Sequence, residues 1–196
     1  MGTSSAILQR QIAPLAEAAG DSLEFLFVEG QQTCPPANAV VARVFPSDAY
    51  YKYTSREPTR YTGLVKALQY VVSSVEEHRP DGLLGFSQGA NLVTCAVAHL
   101  LKHGGHVPWS VLFCGTQFGW TQQLPDLFEA PLQARSFHVL GLLDPILPTS
   151  EALCDVWSPE LRTVVKHSDG HRPFPAERVE AQKIASAIVC WIREDN

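Results

Sequence analysis

Apolar positions recur along the chain with two periods, and the switches between them set out the expected elements. Residues 5–19 (SAILQRQIAPLAEAA) place Ile7, Ile12 and Leu15 at helical intervals, with Gly20 as a stop. LEFLFVEG (23–30) is a continuous apolar run of the kind buried in a parallel sheet, and predicts a strand. From there to about residue 59 the pattern breaks, with Pro35, Pro36, Pro46 and Pro58 around Phe45, Tyr50, Tyr51 and Tyr53. An irregular stretch of that length in a compact domain is usually functional or disordered. Over 61–78, Leu64, Leu68, Val71, Val72 and Val75 restore a helical stripe.

DGLLGF (81–86) predicts a short buried strand, and ANLVTCAVAHLLKH (90–103) a helix packed on it. WSVLFCG (109–115), SFHVLGLLD (136–144) and RTVVKH (162–167) read as further strands, LPDLFEA (124–130) and ALCDVW (152–157) as short helices. AERVEAQKIASAIVCWI (176–192) closes the chain as a helix with Val179, Ile184, Ile188 and Trp191 on one face. Strands alternating with helices predict an α/β protein with a mostly parallel sheet. No repeat or change of composition divides the sequence, so residues 1–196 are expected to form one domain.

Charge and composition narrow the partners. The net charge of −5, with no cluster of Lys or Arg, argues against nucleic acid. No apolar stretch approaches the roughly 20 residues that span a bilayer. The start, MGTSSAILQRQ, lacks the charged head and apolar centre of a secretory signal. Cys34, Cys95, Cys114, Cys154 and Cys190 are odd in number, scattered, and form no CxxC, which suits free thiols in a reducing compartment. A cytoplasmic location is expected.

Candidate chemistry centres on LLGFSQGANL (83–92), where an apolar run turns into a helical pattern at a serine between glycines. A serine hydroxyl attacks carbonyls only when it is exposed, oriented and given a base. A tight strand-to-helix turn supplies exposure and orientation, and crowds the positions two before and two after the serine. Here those are Gly85 and Gly89 around Ser87, between the expected strand and helix. The competing reading is a glycine-rich turn with no chemistry. At the helix start, the Gln88 backbone N–H is placed to donate to an oxyanion.

An orienting acid and a base should follow, in that order. Asp144 ends the apolar run of GLLDPILP (141–148), with Pro145 and Pro148 expected to turn the chain away. The alternative there is an Asp-Pro turn capping the strand. Asp155 falls on an expected helix, and Asp169 sits between the two candidate histidines. In KHSDGHRPFP, His171 lies in a Gly-Pro loop from which a base can reach Ser87, whereas His167 ends a strand and should be packed or solvated. His103 and His106 (HGGH) lack a third metal ligand nearby in sequence and read as surface residues. No metal, nucleotide or flavin signature is present, and no cofactor is expected.

Together GFSQGA, GLLDPILP and HSDGHRPFP resemble a eukaryotic group of small α/β-hydrolases, the family of serine hydrolases. Its members include fungal polyketide-releasing thioesterases and a human ovarian-cancer-associated hydrolase. The resemblance runs over almost the whole chain. It implies an α/β-hydrolase fold, with Ser87, Asp144 and His171 as nucleophile, acid and general base cleaving esters or thioesters without a cofactor. VEGQQTCPP, FPSDAYYKY and DGLLGFSQGANL look more like the fungal biosynthetic branch than the housekeeping esterases. The family opens with a strand ending in a Leu-His-Gly-like turn, whose next residue gives a second oxyanion N–H. Met1-Gly2-Thr3-Ser4-Ser5 begins just after that turn, so the first strand is expected to be missing and Met1 to fall at the donor position.

The pocket walls are expected from Phe45, Tyr50, Tyr51 and Tyr53, and from GTQFGWTQQLPDLF (115–128) with Phe118 and Trp120. Apolar aromatic walls suit an acyl chain or a polyketide, although such aromatics also pack loops onto a domain. The expected partner is a small acyl ester or a carrier-bound thioester, including the carrier domain of a polyketide synthase. The competing class is a non-catalytic or impaired hydrolase-fold binding protein, favoured by the missing strand and oxyanion loop.

Overall fold

The structure, a computed structural model, describes residues 1–46, 49–57, 60–117 and 119–194. The chain opens with α1 (Ser5–Gln11), capped by the Ser4 side chain, and α2 (Ala13–Ala19). The expected single helix breaks at Ile12, because Pro14 sits in the first turn of α2, where a missing N–H costs nothing. The long irregular stretch contains β1 (Gln32–Thr33), α3 (Ala39–Val44), β2 (Tyr51–Lys52), β3 (Ser55–Arg56) and β4 (Tyr61–Thr62). β1 pairs antiparallel with β2, and β3 with β4. Gly63, at φ 79°, then starts α4 (Leu64–His78).

The main sheet follows. β5 (Gly82–Phe86) leads into α5 (Gln88–His103), then β6 (Trp109–Phe113), α6 (Trp120–Gln123), β7 (Ser136–Gly141), α7 (Leu147–Cys154), β8 (Arg162–His167) and α8 (Arg178–Arg193). The strands are parallel in the order β5-β6-β7-β8. Successive side chains of a strand point to opposite faces, and β6 shows it. Leu112 joins α4 and α5, with Leu68, Val72, Ala96, Val97 and Trp157. Val111 and Phe113 face the other way, with Phe137 and Val139 of β7, onto Leu15 of α2 and Ile184 and Ile188 of α8.

Several expectations need correction. LEFLFVEG (23–30) is not a ladder strand: among the described residues β5 is the edge of the sheet and no strand lies beyond it. Leu23, Phe25 and Phe27 instead pack on the α2–α8 cluster, while Leu26 is 62% exposed, so the run buries only alternate side chains. The helix expected at 124–130 is a 3-10 turn, Pro125–Leu127, after α6. α7 lies earlier than the expected 152–157, and Pro148 occupies its first turn rather than ending the chain's course there. On α8, Val179 faces solvent, because the buried stripe runs through Ala181, Ile184, Ala185, Ile188 and Ile192.

The two glycines flanking Ser87 differ. A Cβ on Gly85 would lie 2.5 Å from the Ala90 nitrogen and 2.6 Å from its Cα, whereas one on Gly89 meets nothing within 4 Å. The turn therefore crowds only the position before the serine. Gly85→Ala should cost about 1–3 kcal/mol or more, while Gly89→Ala, in the first turn of α5, should be neutral or stabilising by up to about 1 kcal/mol. Urea unfolding of both variants checks this, and equal losses would contradict it.

Candidate active site

Ser87 joins β5 to α5 at φ 54°, ψ −114°, a conformation that side-chain-bearing residues rarely adopt and that costs roughly 1–3 kcal/mol. The turn is held by backbone. Ser87 N–H donates to Phe113 O of β6 at 2.9 Å, and Ser87 O accepts from Asn91 N–H at 3.3 Å. Parallel pairing of Phe86 with Phe113 ends just there, so the side chain stands at the carboxyl end of the sheet.

Asp144 follows β7. Its Oδ1 accepts from Ile146 N–H at 3.0 Å, an Asx turn, and its Oδ2 faces His171. One oxygen thus closes the turn after the strand, and the other is left to meet the imidazole. The loop after β8 is stitched to the same place: Leu143 N–H donates to Asp169 O at 3.0 Å. Gly141 permits this approach, since a Cβ there would lie 2.2 Å from Gly170 O.

The structure brings the three residues into one relay. His171 Nδ1–H donates to Asp144 Oδ2 at 2.6 Å, and Nε2 stands 3.0 Å from Ser87 Oγ as acceptor. The Asp144 side chain is 1% exposed and that of His171 31%. The carboxylate thus fixes the tautomer that leaves Nε2 free to take a proton. His167 offers no such nitrogen: its Nε2–H donates to Arg172 O at 3.1 Å and its Nδ1 accepts from Asp169 N–H at 3.2 Å. Burial holds His167 below the usual imidazole range. Asp169 is occupied by Gly170 N–H, Ala176 N–H and Arg172, and hydrogen bonding from those two amides holds its carboxyl below the usual range. His103 lies tilted against His99 and His106 meets Pro80 O, both on the surface.

Gln88 opens α5, so its N–H has no carbonyl within the helix to bond. Its side chain does something the sequence reading missed. Oε1 accepts from Tyr53 N–H at 2.9 Å and Thr54 N–H at 3.3 Å, and Nε2 donates to Thr54 O and Oγ1. Four bonds clamp the Tyr53–Thr54 segment to the serine turn. Phe86, also missed, places its ring 5.0 Å from the His171 ring. The glutamine as a middle residue of G-F-S-Q-G was the available signal, but its partners lie 34 and 35 residues away. Met1 makes no hydrogen bond to Ser87. Its neighbours Gly2 and Thr3 pair with Tyr51, and Gly2 O accepts from Ala37 N–H.

The expected wall residues separate. Trp120 is core, 1% exposed, with Nε1–H donating to Thr116 O and its ring against Phe128. It is a correction: the apolar ring is taken up by the α4–α5 cluster. Phe45 carries the Arg10 guanidinium over its ring, Tyr50 OH donates to Phe45 O, and Tyr53 OH donates to Val28 O. These rings, with Tyr51 of β2, are half-buried and brace the loop. Phe118 lies outside the described residues.

Fold and relay define the class, an α/β-hydrolase. A carboxylesterase from Bacillus cereus superposes with a TM-score of 0.57 at 19% identity, covering 96% of this chain and 83% of that one. A variant of SOBER1 from Arabidopsis thaliana reaches 0.63 at 14% identity, with 98% and 94% covered. The chain belongs to the serine hydrolase (FSH1) family, whose sequence profile matches residues 1–184. Esterase FUS5 of Gibberella fujikuroi is 27% identical over 98% of this chain and 84% of its own length. Esterase OVCA2 of Bos taurus is 34% identical over 59% and 52%, and thioesterase FSL2 of Gibberella zeae 29% identical over 56% and 50%. The protein is thus a serine hydrolase acting on ester bonds. Among the described residues no helix is long and apolar enough to cross a membrane.

Removal of the Gln88 side chain should free the Tyr53 and Thr54 amides. Gln88→Ala is expected to lose about 1–3 kcal/mol of stability and to speed hydrogen exchange at those two amides. Unchanged exchange there would contradict the clamp.

Proposed function

We propose that Ser87, His171 and Asp144 cleave an acyl ester or thioester through an acyl-serine, with Gln88 N–H as an oxyanion donor. The observation that carries this is the continuous path from Oγ to Nε2 at 3.0 Å and from Nδ1 to the buried carboxylate at 2.6 Å. His171 Nε2 takes the hydroxyl proton as Oγ attacks the acyl carbon. Asp144 stabilises the imidazolium without accepting its proton. Charge growing on the carbonyl oxygen is met by the Gln88 amide, a contribution of about 3–4 kcal/mol per donor. His171 then protonates the leaving oxygen or sulfur; in the second half-reaction it takes a proton from the water that attacks the acyl carbon and returns it to Ser87 Oγ as the acyl bond breaks.

The substrate class follows from what surrounds the relay. Leu142 and Leu143, next to Asp144, are 52% and 73% exposed, and Phe86 lies against His171. Exposed apolar side chains beside the acid suit a medium or long acyl group, of fatty or polyketide type. The fungal relatives named esterase FUS5 and thioesterase FSL2 support an ester or thioester as the bond cleaved, and the role assigned here is biosynthetic, with the acyl group arriving as a free ester or on a carrier domain.

Initial rates on a matched series of acetyl and medium-chain esters and thioesters test the reading. The medium-chain substrates should be hydrolysed faster, and Ser87→Ala should lower the rate by at least about 10⁴-fold. Equal or faster turnover of acetyl esters would contradict the substrate class, and retained activity in Ser87→Ala the nucleophile.

A further inference from the structure

One side chain packed against the relay takes no part in that chemistry, the thiol of Cys114. It follows β6 at φ 44°, a left-handed conformation unusual for anything but glycine, and is held by its N–H donating to Val139 O at 2.9 Å. The residue is fully buried and its thiol points at Arg172 O, 3.4 Å away. Burial first, then the nearby Asp144 carboxylate, push the thiol up to about 12, so it is neutral at physiological pH. Its sulfur, an Asp144 oxygen and a His171 ring nitrogen all lie within 4.8 Å of one another.

We propose that Cys114, Asp144 and His171 form a site for a soft divalent cation such as Zn²⁺, and that filling it silences the relay. Thiolate, carboxylate and imidazole are the zinc donor set, at about 2.3, 2.0–2.2 and 2.0–2.1 Å from the metal. Around a tetrahedral ion these lengths place the donors roughly 3.3–3.6 Å apart. The 2.6 Å separation of Nδ1 and Oδ2 must therefore open, and the sulfur, within 4.8 Å, must close in. His171 is the ring able to make that adjustment, because its side chain is 31% exposed while Asp144 and Cys114 are buried. Water entering on its exposed side completes the coordination.

Charge favours the arrangement. Two anionic donors and a neutral imidazole cancel the dication, which suits a buried site. One proton leaves, from the Cys114 thiol, and the proton on His171 Nδ1 passes to Nε2. That tautomer cannot accept the Ser87 proton. Loss of the correct tautomer costs serine hydrolases about 10⁴-fold in kcat. A sulfur ligand selects Zn²⁺ or Cd²⁺ over Mg²⁺ and Ca²⁺.

The silencing rests on the catalytic reading above, whereas occupancy does not, so both are measured. Cd²⁺ is titrated into the full chain carrying Cys34→Ser and Cys190→Ser, which removes the two thiols that are not buried. One equivalent should produce sulfur-to-metal charge-transfer absorbance, lost on adding Cys114→Ser or Cys114→Gly, the latter suited to the positive φ. Zn²⁺ should inhibit ester hydrolysis reversibly, and each variant, scaled to its own metal-free rate, should need roughly tenfold or more Zn²⁺ for half inhibition. Absorbance that is absent from the parent or survives both substitutions would overturn the site. Inhibition unchanged by either substitution would overturn the silencing. Absorbance that depends on Cys114 in a chain without esterase activity would support the site and refute the catalytic reading instead.

Discussion

The backbone of Ser87 is the constraint on which the site depends. Its φ of 54° and ψ of −114° aim Oγ at His171 rather than along the sheet, and a conformation of this kind persists only where its surroundings enforce it. Enforcement here is one-sided. β6 holds the Ser87 amide through Phe113 O, and Gly85 lies against Ala90 of α5. On the other side β5 is the sheet edge among the described residues. The Gln88 clamp on Tyr53 and Thr54 supplies the remaining support from outside the sheet, which ties the turn to a loop far away in sequence.

A second constraint lies in the shared use of Asp144. One oxygen closes its own turn through Ile146 and the other orients His171. The carboxylate is thus held by the chain segment that carries it while its other oxygen meets the imidazole. The loop after β8 is brought to the same point through Asp169 O and the bare Cα of Gly141. The Cys114 sulfur lies within 4.8 Å of the Asp144 and His171 donor atoms, and the proposed hydrolytic steps leave it idle.

Much of this was legible in residues whose roles are local. The strand–Ser–helix switch, the carboxylate after an apolar run, and the preference for loop-borne His171 over strand-borne His167 all rest on a few consecutive residues. What escaped reading depends on contacts distant in sequence. An apolar run such as 23–30 looks the same whether it pairs in a ladder or merely packs, and only its neighbours decide. Trp120 in a glycine-containing loop resembled a pocket wall, yet the α4–α5 cluster absorbs it. The Gln88 amide of the side chain and the Cys114 thiol could not be assigned, because their partners come from segments tens of residues away.

The central claim is that Ser87 is a nucleophile activated by His171. The direct measurement is treatment of the 196-residue chain with a fluorophosphonate, followed by peptide mapping by mass spectrometry, with Ser87→Ala and His171→Ala alongside. The account predicts a single adduct on Ser87, absent from Ser87→Ala and formed far more slowly in His171→Ala. A folded chain that takes no label, or takes it on another residue, would contradict it.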